Sequence, residues 1–177
     1  LISSGAVANG SDVLQLDKKL DSVSARQVFS AVGQARLINR YYDLFAKHNI
    51  VCGQFLTTKE SLSTRQFYLN QKNCISEMLA CGVIPIVNEN DTISTADIQQ
   101  ENNYDLTVLV ANIISAHALI QINKDYSFNV LFKGNNYYFH CKDKDELFRF
   151  IRETNAKKTI NKAFQYPAVF PTQSKNF

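Results

Sequence analysis

Asn88-Glu89-Asn90-Asp91 places two amides and two carboxylates in four consecutive residues, directly after the apolar run Val83-Ile84-Pro85-Ile86-Val87. The run predicts a buried strand, so the amide donors and carboxylate acceptors fall at its carboxyl end. In open α/β sheets, ligands bind in the crevice outside the carboxyl ends of the strands. A polar cluster there suits a small ligand carrying both amino and carboxylate groups. A second group, Ser3-Ser4-Gly5-Ala6, follows apolar Leu1-Ile2. Small residues at a strand-to-helix junction let backbone N–H groups approach a ligand. Each residue also has a plainer reading: Ser4 as a turn or helix cap, Asp91 as a solvated loop carboxylate or Asx turn.

Other reactive side chains are scattered. Cys52, Cys74, Cys81 and Cys141 form no Cys-x-x-Cys pair, and His48, His117 and His140 are isolated, so neither a metal site nor a thiol catalyst is expected. Free thiols in a reducing compartment are the expectation.

The elements that must position the two clusters alternate. Ser24 to about Asn49 has helical spacing (Val28, Val32, Leu37, Ile38, Tyr41, Phe45), with Ser24 as its expected N-cap. Gly33 within it points to close helix packing. Residues 50–57 read as a strand. A helix from about Ser61 to Ala80 follows, with Leu62, Phe67, Leu69, Ile75, Met78 and Leu79 as its apolar side and Gly82 as terminator. After the strand 83–87 and a polar loop 88–103, a third helix is expected over 104–116 and another buried strand over 118–122. This order predicts an α/β fold, a three-layer αβα sandwich around a mainly parallel sheet.

Beyond Asp125 the composition shifts: 12 of the 20 Phe and Tyr residues lie between Tyr126 and Phe177. A hairpin over 129–141 turning at Gly134-Asn135, a charged helix over 142–164 and a Pro-containing tail are expected. The reading is thus one domain over 1–125 and a divergent hairpin, helix and tail over 126–177, possible parts of the same domain. A length of 177 residues, with 45% hydrophobic and 20% charged, suits one well-packed soluble domain. A dispersed net charge of +3 makes no case for nucleic acid, and no apolar run reaches the roughly 20 residues of a membrane span. The chain opens at Leu1 in the middle of apolar sequence, so a fragment of a longer protein is expected.

Ser3-Ser4-Gly5-Ala6-Val7-Ala8, Ala31-Val32-Gly33-Gln34-Ala35-Arg36-Leu37, Tyr68-Leu69-Asn70 and Ile84-Pro85-Ile86-Val87-Asn88-Glu89-Asn90-Asp91 together resemble the glutamate 5-kinases of the amino acid kinase fold, in that family's order and spacing. The resemblance covers residues 1 to about 122. It implies a cytoplasmic enzyme of proline biosynthesis that transfers the γ-phosphoryl group of ATP, with Mg²⁺, to the γ-carboxylate of glutamate. It places the glutamate-binding serine on Ser4, the aspartate that meets the substrate ammonium on Asp91, and a downstream substrate-binding asparagine on Asn103. A helix N-cap is the plainer reading of Asn103. Homo-oligomers are also implied, since the family often forms them.

The pattern departs from the family in its phosphoryl-transfer half. The Gly-rich turn and phosphate-binding lysine would precede Leu1, so no catalytic residue is assigned. Glu101-Asn102-Asn103-Tyr104 stands for Gly-Asp-Asn-Asp, putting Tyr104 at an aspartate position. Asn123-Lys124 stands for a nucleotide-contacting Thr-Asp pair, and Lys133-Gly134 reads as a hairpin turn. Two functions follow: a glutamate 5-kinase represented by an incomplete or weakly active chain, or an inactive module that binds an amino acid or pairs with an active subunit. Acetylglutamate kinase is the weaker enzymatic option, because its Gly-rich loops are not evident.

Overall fold

The computed structural model describes residues 1–15, 19–58, 60–94, 104–116, 119–122, 127–132 and 135–140, together with 145, 146, 148, 149 and 152. The chain divides into two compact units, Leu1–Ile114 and Ser115–Phe177.

In the first unit, β1 (Cys52–Thr57) and β2 (Ile84–Glu89) pair in parallel, with Cys52 opposite Ile84 and Thr57 opposite Glu89. The N-terminal residues run along the other edge of β2. Val87 N donates to Leu1 O (2.8 Å) and Ser3 N to Val87 O (2.8 Å), forming a parallel bridge at Ile2–Val87. β2 is therefore central, and it extends two residues past Val87 so that Asn88 and Glu89 belong to the strand. The period-2 alternation of a strand then sorts its side chains between two layers.

One layer is α2 (Ser22–Ala46), whose Ile38 is buried with Cys52 and Ile86 of the strands, while Tyr41 and Phe45 of the helix and Ile84 of β2 pack against them. The other is α3 (Arg65–Ala80) with α4 (Tyr104–Ile113): Phe55, Ile75, Val87, Leu106, Val110 and Ile113 form its core. This is the expected parallel α/β sandwich. Several boundaries differ. Asp21, not Ser24, caps α2. Its Oδ1 accepts from Val23 N (3.0 Å) and Ser24 N (2.9 Å), and the Ser24 hydroxyl donates to Oδ2 (2.6 Å). An aspartate competes well for a cap because its charged oxygens accept several N–H groups at the positive helix end.

α3 begins at Arg65 behind Thr64, whose hydroxyl oxygen accepts from Phe67 N, while Ser61 belongs to a short 3₁₀ turn, Glu60–Leu62. Its inner stripe is Tyr68, Gln71, Ile75 and Met78, at three- and four-residue steps. Phe67, Leu69 and Leu79 lie off that stripe and are exposed. Gly82 ends the helix at φ +74°, as its position predicts.

The second unit contains an antiparallel sheet in the order β3 (Leu119–Ile122), β4 (Ser127–Phe132), β5 (Asn135–His140). Phe132 faces Asn135 across the expected hairpin. The strand at 119–122 thus pairs antiparallel with β4 instead of extending the parallel sheet, and Ile122 is 56% exposed. Only four residues separate β3 from β4. A connection that short favours antiparallel pairing, whereas a parallel neighbour needs a crossover. Most of the helix expected over 142–164, and all of the tail, lie outside the described residues.

The tightest packing joins α2 to α1 (Ala6–Ser11), which follows Gly5 at φ +96°. A Cβ on Gly33 would lie 1.7 Å from the Ala6 carbonyl oxygen, and one on Gly10 would lie 1.8 Å from that of Phe29. The two helices touch backbone to backbone. Gly33→Ala should therefore destabilise the chain by about 1–3 kcal/mol or more, although alanine at an ordinary helix position would gain about 1 kcal/mol. Gly53→Ala is the control, because its Cβ would meet side chains and no backbone: the end of the flexible Met78 side chain at 2.8 Å and Val83 Cγ1 at an ordinary 3.4 Å. Denaturant unfolding should separate the two. Equal midpoints would contradict the close contact.

Candidate functional site at the strand carboxyl ends

Alternation along β1 and β2 directs Gln54 and Asn88 toward α2, where both meet Gln34. The Gln34 Oε1 accepts from Gln54 Nε2 (3.3 Å) and Asn88 Nδ2 (3.4 Å), while its Nε2 donates to Glu89 O (3.0 Å). Gln34 is buried, so these partners replace the water it has lost. On the opposite face the Thr57 hydroxyl contacts Gln71 Oε1 and Ser61 Oγ.

Past Glu89 the chain turns. Asn90 N donates to Thr57 O (2.7 Å), Ser94 N donates to Asn90 O (3.0 Å), and the Thr92 hydroxyl donates to Asn90 Oδ1. The turn returns Asp91 to α2. There Arg26 Nε lies 3.9 Å from Asp91 Oδ1, and the Ser30 hydroxyl lies 3.5 Å from Oδ2. A second arm of Arg26, Nη2, donates to Ser94 O (3.1 Å), and the Ser94 hydroxyl donates to Glu89 Oε1 (2.9 Å).

The Asp91 side chain is 19% exposed, which removes the solvated-loop reading. Both of its contacts are longer than an ordinary hydrogen bond of about 2.7–3.2 Å. Among the described residues its carboxylate therefore keeps accepting capacity. Burial pushes its pKa up, the nearby Glu89 charge adds to the rise, and Arg26 and Ser30 oppose it. A desolvated carboxylate at a strand end, beside one cation and short of close donors, is suited to receive an ammonium group.

Ser4 sits at the same sheet edge, one residue past the Ser3 N–H that bonds Val87 O. It is exposed, and the helix-cap reading does not hold, since α1 is capped by Gly5 without a side-chain hydrogen bond. Ser3 takes the structural role instead, its hydroxyl 2.9 Å from that of Tyr41. Asn103 lies outside the described residues, as do Glu101, Asn102, the Asn123-Lys124 pair and Lys133-Gly134.

Arg26, Ser30 and Gln34 were not among the residues singled out for chemistry by the sequence. Their signal was available: polar side chains at i, i+4 and i+8 occupy one helix face. A cavity of about 300 Å³ lies on the α3 side of the motif, lined by Thr57, Thr58, Ser61, Asn70, Gln71 and Asn90 among others. It includes neither Ser4 nor Asp91 and no charged side chain. The carboxylate beside Arg26 is the stronger candidate, because charge and partial desolvation converge there.

The raised Asp91 pKa has a consequence for stability. The folded chain holds this proton more tightly than the unfolded chain, so the contribution favours folding in acid, below the usual carboxylate pKa of about 4, and is lost as pH rises through the raised value. Asp91→Asn carries no ionised carboxylate. It should melt above the parent chain at neutral pH, with the gap closing toward acid, in thermal scans between about pH 4 and pH 8. A variant less stable at neutral pH would show that the Arg26 contact outweighs burial.

Comparisons with known proteins place the sequence in a family. The sequence pattern of the amino acid kinase family matches residues 1–125. A glutamate 5-kinase of Bacteroides thetaiotaomicron is 62% identical over 120 residues, which is 68% of this chain and 33% of that protein. A glutamate 5-kinase of Chlorobaculum tepidum is 40% identical over 136 residues, covering 76% of this chain and 38% of its own length. A third, from Aromatoleum aromaticum, is 43% identical over 120 residues, covering 68% and 32%. The chain spans about a third of the length of the curated relatives it matches. With a parallel sheet held between helical layers and polar residues gathered at its strand ends, the chain belongs to the amino acid kinase family.

Proposed function

We propose that this chain supplies the glutamate-binding part of a glutamate 5-kinase. In that reaction a γ-carboxylate oxygen of glutamate attacks the γ-phosphorus of ATP, forming an O–P bond as the bond to ADP breaks. The products are γ-glutamyl phosphate, which feeds proline synthesis, and ADP. The printed names of the relatives support the substrate class. Asp91 carries the reading to particular residues: it is a mostly buried carboxylate with unsaturated acceptors at the end of the central strand. In this reading Asp91 receives the substrate ammonium, the exposed Ser4 hydroxyl donates to a substrate carboxylate, and Asn103 adds an amide.

ATP and Mg²⁺ belong to the same reading as the phosphoryl donor and its charge-neutralising ion. Among the described residues no three His, Cys, Asp or Glu side chains converge as a metal site. The donors that do converge are amides, hydroxyls and a carboxylate–guanidinium pair, and they suit an amino acid better than a triphosphate. The described residues are therefore read as the amino-acid side of the reaction. A cytoplasmic location and assembly with further copies accompany this reading. No described helix is long and apolar enough to cross a membrane.

Tyr104, at a position where the family resemblance expects an aspartate, favours a second reading: an amino-acid-binding module without phosphoryl transfer. Titration calorimetry with L-glutamate tests the shared part. Asp91→Ala should weaken binding by about 1.5–3 kcal/mol, about ten- to a hundredfold, and Ser4→Ala by about 1 kcal/mol. Unchanged affinity in Asp91→Ala would remove Asp91 from the site. Trapping the acyl phosphate with hydroxylamine separates the two readings. Binding with very little glutamate-dependent hydroxamate is expected of the 177 residues alone, and robust turnover would refute the idea that the nucleotide side is altered.

A further inference from the structure

We propose that Arg26 is a positioning residue that keeps the Asp91 carboxylate charged and in place for an amino acid's ammonium group. The proposal rests on the reading of Asp91 as the ammonium partner and adds a residue that the resemblance did not supply. Arg26 lies in the first turns of α2, anchored by the Asp21 cap two residues before Val23. Its side chain is 17% exposed. From there it spans the turn that follows β2, with Nε 3.9 Å from Asp91 Oδ1 and Nη2 donating to Ser94 O at 3.1 Å. One guanidinium thus reaches both ends of the segment 91–94, by an ion pair at one and a hydrogen bond at the other.

The charges around Asp91 explain why such a group is needed. Among the described residues, the charged groups acting on Asp91 are Arg26 from α2 and Glu89 from β2, with the Ser30 hydroxyl alongside. Among the described residues this makes two carboxylates and one guanidinium. A bound ammonium makes the count two against two. If Arg26 is removed, no other described cation acts on Asp91, and burial together with the Glu89 charge favours proton uptake by its carboxyl. A protonated Asp91 has no charge to offer an ammonium. Arg26 therefore acts through Asp91, without being required to touch the ligand.

The test uses the whole chain with Arg26→Gln and Arg26→Lys. The Asp91 side-chain carboxyl is followed by carbon NMR across a pH titration, and L-glutamate binding is measured by calorimetry at several pH values. In Arg26→Gln the Asp91 midpoint should move up, and glutamate binding at neutral pH should weaken about tenfold, the loss growing as pH falls. Arg26→Lys, which keeps the charge, should recover the parent midpoint and most of the affinity. If Arg26→Gln does not fold, Arg26→Lys still decides: a midpoint shifted as far as burial and Glu89 alone would drive it overturns the charge argument. An unshifted midpoint in folded Arg26→Gln, or a loss of affinity independent of pH, also overturns it. Failure of the parent chain to bind glutamate sinks the glutamate reading instead, while the carboxyl titration still reports on Arg26.

Discussion

The contact between α1 and α2 is the constraint on which the site depends. Gly10 and Gly33 remove the side chains that would otherwise separate the helices, and each meets a carbonyl of the other helix or its start. No rotamer change could relieve a Cβ there, because the obstructing atoms are backbone. The contact buries Ala6 and Ser30 and fixes the short Ser3–Gly5 link against α2. The same link continues from the Leu1–Ser3 ladder on β2, so helix, loop and central strand are located by one junction. Ser4 owes its position to that junction.

A second consequence is that α2 lies close enough to the sheet for short polar side chains to span the gap. Ser30 and Gln34 are buried on the face that carries Gly33, where an ordinary amphipathic helix would place Leu or Ile. Gln34 satisfies Gln54, Asn88 and the Glu89 carbonyl together. Such a network fixes geometry more tightly than apolar contact, because each lost partner leaves a desolvated polar atom. The strand end is thus held from beneath before the chain turns at Asn90, and Asp91 is carried on a short, hydrogen-bonded turn.

The parts of this arrangement legible in the sequence are those governed by local rules. The β-branched run at 83–87, the terminator Gly82 and the tight-packing Gly33 each have one dominant physical meaning. Asn88-Glu89-Asn90-Asp91 stood out because its amides and carboxylates gather at a strand's carboxyl end, where α/β sheets bind ligands. What local rules could not give was competition between equivalent partners. Asp21 and Ser24 are both good caps, and the charged oxygens of Asp21 prevailed. Leu119–Ile122 has the composition of a parallel strand, yet its nearest partner in sequence was β4. The polar stripe Arg26–Ser30–Gln34 was hidden for a different reason. Periodicity is ordinarily read from apolar residues, and here two of the buried helix residues, Ser30 and Gln34, are polar.

The proposed role of Asp91 as an ammonium partner gives a reason for a carboxylate in this place that folding alone does not. Burial and Glu89 both make its ionised form costly, and its contacts with Arg26 and Ser30 are too long to offset that fully. A residue selected for stability alone would be uncharged here, or would close on its guanidinium as a short bidentate pair. Instead the carboxylate is held near a cation but not saturated by it. Sites that must receive a charged ligand commonly retain such unfavourable local terms. In the proposed reading an arriving ammonium would supply the missing positive charge, so the term that weakens the empty fold would become the attraction that holds the ligand.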